Sequence, residues 1–72
     1  SAQLIHIHGT PHVILSHDKS IEVRCLDDLK KIVSIIEFEN KVNLLYLDGD
    51  KLVVIQGMKT AEIQIQDIIP LP

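Results

Sequence analysis

Aliphatic residues recur at every second position through most of this chain, and short polar segments cut the runs. A period of two is the signature of a half-buried β-strand, because successive side chains point to opposite faces of the sheet. Apolar residues make up 46% of the sequence and aromatics only 3%. Such a chain is built to bury aliphatic surface, with few rings to stack on bases or sugars. Its 72 residues leave room for one domain and one core. A core of this size rarely supplies more than about 3–5 kcal/mol, so small folds add a disulfide, a metal or a partner. Cys25 is the sole cysteine and cannot form an internal disulfide. The remaining options are a metal, an unusually dense core or association.

Read along the chain, positions 3–8 alternate, with Ile5 and Ile7 on one side and Leu4, His6 and His8 on the other. Gly9-Thr10-Pro11 interrupts them, and the run at 12–16 completes a hairpin with a three-residue loop. With His8 facing His12, Val13 and Leu15 join the face of Ile5 and Ile7, and His12 and Ile14 join that of His6. Residues 17–20 form a polar turn. Alternation then resumes, with Ile21, Val23 and Cys25 inward and Glu22 and Arg24 outward. Leu29, Ile32, Val33 and Ile36 stand at helical spacing behind Asp27 and Asp28, which suits a helical turn over 27–33. A strand at 35–39 follows it. Asp48-Gly49 is a hairpin turn, pairing Leu47 with Asp50 and Leu44 with Val53. Both faces of this hairpin are apolar, so it should lie between two layers. Over 60–66, Ala61, Ile63 and Ile65 point inward and Glu62, Gln64 and Gln66 outward. Two prolines end the apolar tail at 68–72, which terminates pairing or lies along a surface.

The histidines carry the only chemical hint. All four lie in the first 17 residues. In the hairpin described, His6, His8 and His12 share a face, and three imidazoles from adjacent strands can hold a transition metal with an open position. Glu22 could supply a fourth ligand. The plainer reading is a set of solvated surface histidines, since neither HExxH nor CxxC occurs in the sequence. Cys25 on an inward strand position is a small hydrophobe rather than a nucleophile. Asp48-Gly49-Asp50 lacks the further spacing and closing Glu of a calcium loop. His17-Asp18 has no third member placed by pattern to make a catalytic triad. No glycine-rich phosphate loop exists, because each of the three glycines marks a separate turn.

The net charge of −3, with seven Lys and Arg scattered among ten acids, gives no pull toward phosphate backbones or anionic lipid. Nucleic-acid binding is disfavoured. No apolar stretch reaches the length of a membrane span. The single cysteine and the lack of a signal pattern fit a cytoplasmic protein, and Ser1 in place of Met suggests a trimmed start. The expected fold is mainly β: a small antiparallel barrel or two-layer sandwich of about six strands with one short helix, forming a single domain over residues 1–72. The expected function is a non-enzymatic protein-interaction or regulatory module without a cofactor, acting as a homo-oligomer or as a subunit of a larger assembly. Its expected interface is the face of Leu45, Leu47, Leu52 and Val54, which so small a domain should struggle to cover. The alternative is a small metal-binding protein, catalytic or not, using His6, His8 and His12.

Overall fold

The structure, a computed structural model, describes residues 2–69. Seven strands run through them: β1 (Ala2–Ile7), β2 (Thr10–His17), β3 (Ser20–Cys25), β4 (Ile32–Glu37), β5 (Leu44–Asp48), β6 (Lys51–Gln56) and β7 (Lys59–Gln64). One helical turn, α1 (Ile65–Ile68), follows. β1 to β4 form one antiparallel sheet in chain order, and β5 to β7 form a second. The fold is therefore mainly β with one short helix. The two sheets stay open, so the barrel alternative does not hold, and the described residues contain seven strands rather than about six.

Tight turns set the strand pairing. Four hairpins close through two-residue loops: His8-Gly9, Asp18-Lys19, Gly49-Asp50 and Gly57-Met58. Each loop opens on a residue with positive φ: 51° at His8, 52° at Asp18, 61° at Gly49 and 63° at Gly57. That handedness matches the natural twist of the flanking strands.

Two registers differ from the sequence reading, with opposite consequences. In the first hairpin Ile5 pairs with His12 and Ile7 with Thr10. His8 and Gly9 both take positive φ and close the loop after two residues instead of three. The register moves by an odd number of positions, so the faces of β2 exchange. His12 and Ile14 turn inward with Ile5 and Ile7, while Val13 and Leu15 turn outward. In the β5–β6 hairpin the loop is Gly49-Asp50, and Leu47 pairs with Leu52. Positive φ falls on Gly49 alone in that loop, the pattern of a type II′ turn. Here the register moves by two, and the faces stay as expected.

The helical turn expected over 27–33 is absent. Asp28 instead organises a turn: its carbonyl accepts the Lys31 N–H at 3.0 Å and its Oδ1 the Lys30 N–H at 3.2 Å. β4 begins at Ile32, because the β-branched run there favours a strand over helical spacing. A bulge against Val23 and Arg24 absorbs the extra residue Val33. The helical turn lies instead at Ile65–Ile68, over the last two residues of the strand expected at 60–66 and the two that follow.

One core cluster draws Ile5, Ile7, Ile14, Ile21 and Val23 from the first sheet and Leu45, Leu52 and Val54 from the second. Val42 and Ile68 are buried in the same cluster. The Leu45, Leu47, Leu52 and Val54 face, expected to need a partner, is thus packed inside the chain. Leu45, Leu52 and Val54 are buried and Leu47 is half-buried. The inner face of the four-stranded sheet covers them. The hairpin does not lie between two layers, since Leu44 and Tyr46 on its other face are exposed. The connection from β4 to β5 crosses between the sheets and is pinned by backbone. The Phe38 N–H donates to the Lys19 carbonyl, Val42 to Asp18 and Asn43 to Ile55, each at 2.8 Å. Residues 70–72, expected to end pairing or lie along a surface, fall outside the described residues.

These faces can be checked by urea denaturation. Ile14, 0% exposed, should cost about 2–5 kcal/mol on mutation to Ala. Leu4, 52% exposed, should cost less than about 1 kcal/mol. Equal losses would mean that Leu4 and Ile14 share a face, as in the three-residue-loop register. Gly49→Ala should cost about 1–2 kcal/mol from backbone conformation alone, since a Cβ there meets nothing within 4 Å.

Candidate functional site

The outer face of the four-stranded sheet is the most distinctive surface of the molecule. Pairing aligns two rows of residues across it: Ala2, Leu15, Glu22 and Ile35, then Leu4, Val13, Arg24 and Ile32. Leu4, Ile32 and Ile35 are exposed, and Val13 and Leu15 are half-buried. Charge enters these rows only at β3. There Arg24 donates from Nη2 and Nε to Glu22 Oε2 at 2.7 and 3.2 Å, and from Nη1 to the Leu29 carbonyl at 2.7 Å. Both side chains are one-quarter exposed (25% each). The pair neutralises itself in the middle of an apolar face. It also ties the 26–31 connection to the sheet.

The second sheet has a smaller counterpart. Leu44 pairs with Ile55, and Tyr46 with Val53, on its outer face. Val53 is buried there, while Leu44 and Tyr46 remain exposed. Lys51 and Glu62 flank this patch with a loose ion pair at 3.6 Å.

The histidine trio is not brought together. His6 is exposed on the outer face of β1, whereas His12 is 6% exposed on the inner face of β2. His12 donates from Nδ1 to the Thr10 carbonyl at 2.8 Å, so its ring is held within its own strand. His8 sits in the turn and donates from Nε2 to the Ile69 carbonyl at 2.7 Å, tying the first hairpin to the segment after α1. Glu22, the imagined fourth ligand, is engaged by Arg24. Among the described residues no group of three or more His, Cys, Asp or Glu is placed to hold a metal ion.

The other chemical candidates also resolve into structure. Cys25 is half-buried and lies opposite His12 in register. Asp50 belongs to the β5–β6 turn, and its carbonyl accepts the Ile65 N–H at 3.0 Å. Asp18 belongs to the β2–β3 turn, where its carbonyl accepts the Val42 N–H. The outer apolar face itself escaped the sequence reading. Reversed faces in β2 hid Val13 and Leu15, and the helical assignment hid Ile32. The outward Glu22 and Arg24 were the one visible sign of it.

No family model, curated protein or solved structure matches the chain, so the reading of this surface rests on its own residues.

A double-mutant cycle on Glu22 and Arg24 should give a coupling of about 1 kcal/mol or less, as for other partly exposed ion pairs. Arg24→Lys keeps the charge but cannot span both partners. Amide exchange over residues 27–31 should therefore accelerate, while exchange in the core strands stays slow. Unchanged exchange in that segment would show that the Leu29 contact does not hold it.

Proposed function

We propose that this chain is a non-enzymatic protein-interaction or regulatory module whose working form is an assembly, either a homo-oligomer or a larger complex in which it is a subunit. The observation that carries this reading is the outer face of the four-stranded sheet. Its Leu4, Val13, Leu15, Ile32 and Ile35 are aligned in neighbouring register positions, and among the described residues Leu4, Ile32 and Ile35 are left exposed and Val13 and Leu15 only half-buried. Contiguous apolar surface of this kind is characteristic of interaction sites. Interface centres are depleted in unpaired charge, and the only charges in these rows, Glu22 and Arg24, satisfy each other. A partner docking there would cover them as a neutral pair. Among the described residues the sheet also ends in open edges at β1 and β4, which offer backbone donors and acceptors for strand addition.

The two interior sheet faces need no further cover, so association would act on a complete fold rather than finish an incomplete one. The assembly is therefore separable from folding. The native mass of the chain in an extract of its own cells provides the test. It should run at several times its 8.1 kDa. Leu4→Asp and Val13→Asp, each with an unchanged circular dichroism spectrum, should shift it toward the mass of the free chain. A single-chain mass, both in extract and in the purified protein at micromolar concentration, would overturn the reading.

A further inference from the structure

We propose that two copies of this chain pair through the free edges of their β4 strands. The pairing is antiparallel about a two-fold axis, with Lys30 and Lys31 of each copy beside Glu37 and Glu39 of the other. This rests on the interaction-module reading and names its partner as a second copy.

The backbone supplies the first part of the argument. Among the described residues β4 ends its sheet and pairs with β3 alone. The Phe38 N–H donates to the Lys19 carbonyl at 2.8 Å, which fixes the side of β4 that faces β3. Because orientation alternates along a strand, the backbone groups of Ile35 and Glu37 face the open edge. Natural edge strands are usually blunted by an internal Lys or Pro, or by a bulge. Ile32–Glu37 reads IVSIIE and contains neither residue. Its single bulge sits near its start and leaves the stretch from Ser34 to Glu37 regular.

Charge supplies the second part and selects the occupant. Two lysines stand directly before the strand, and two glutamates stand at its end and two residues beyond. A two-fold axis perpendicular to the sheet pairs identical strands antiparallel. That arrangement sets lysines against glutamates at both ends of the joint, whereas a parallel arrangement sets like against like. The other edges carry less information. β1 contains no Asp, Glu, Lys or Arg, and β5 has one lysine before it and one aspartate at its end. On β7, Lys59 opens the strand but the acid, Glu62, stands in its middle rather than at the opposite end. Glu39 contacts Lys59 only at 3.8 Å, with both side chains largely exposed, so it can turn to a new partner. The joint extends the sheet to eight strands across two copies. It brings the exposed Ile32 and Ile35 of each copy toward the axis and merges the two outer apolar faces.

Sedimentation of the purified chain tests this with two charge-reversal variants, K30E/K31E and E37K/E39K. All four positions are exposed, so both variants should keep the native circular dichroism spectrum. The unmodified chain should dimerise, more weakly as salt rises. Each variant alone should associate at least about ten-fold more weakly, because like charges now meet at both ends of the joint. An equimolar mixture should restore dimers, since an all-acidic edge then meets an all-basic one. A monomeric unmodified chain overturns the proposal, as does a dimer insensitive to both reversals or a mixture that stays monomeric. A dimer insensitive to charge, or a monomer that still runs in a large complex in extract, removes only the β4 joint. A single-chain mass in both settings removes the interaction reading as well.

Discussion

Everything in this structure depends on pressing two aliphatic sheet faces together, with Phe38 as a partly buried ring packed against them. Ile14, Ile21 and Val23 on one side and Leu52 and Val54 on the other are completely shielded from solvent. Branched side chains suit this task, because they are stiff and pack closely on a pleated surface. The contact also explains why the chain can fold without a disulfide. Each sheet covers the other, and the crossing connection at 38–43 is tied by backbone hydrogen bonds at both of its ends. The turn at Asp18 takes part, because its carbonyl receives the Val42 N–H as the chain leaves one sheet for the other.

Much of this architecture was legible in the sequence, and the errors of register share a cause. Strand alternation reports which residues share a face on one strand, but it does not report how strands align. That depends on the turn. Around Gly49 the loop was misplaced by one residue, which moves the register by two, so Leu45, Leu47, Leu52 and Val54 kept their common face. Around Gly9 a three-residue loop was read where two residues suffice. The odd shift carried His12 inward, separated it from His6 and scattered the histidine site. Left-handed geometry at His8 was the missing information, and histidine gives little warning of it. The 27–33 segment failed differently. Asp27 and Asp28 resemble a helix cap, yet Asp28 closes an isolated turn, and the β-branched residues that follow join the sheet.

The surface follows from the same errors in reverse. Once β2 and β4 are aligned correctly, Val13, Leu15, Ile32 and Ile35 fall on one outer face around the Glu22–Arg24 pair. The apolar excess noted in the sequence is therefore real, but it belongs to a different face from the one it suggested. The Leu45 face is internal, and the unmet apolar surface lies on the far side of the other sheet. The neutral Glu22–Arg24 pair in its middle keeps that face hydrated while adding no net charge to it.

The order of strands carries a kinetic consequence. Each pairing joins strands that are consecutive along the chain, and four of the five pairings close through two-residue loops. Most β-sandwiches must bring together strands distant in sequence, and the entropy of closing long loops slows them. Here each hairpin can form on its own, in roughly microseconds for an isolated hairpin. The long-range event left over is the meeting of two preassembled meanders across the 38–43 connection. Nucleation can thus be spread over several independent turns, with docking of the two faces as the step that makes the fold cooperative.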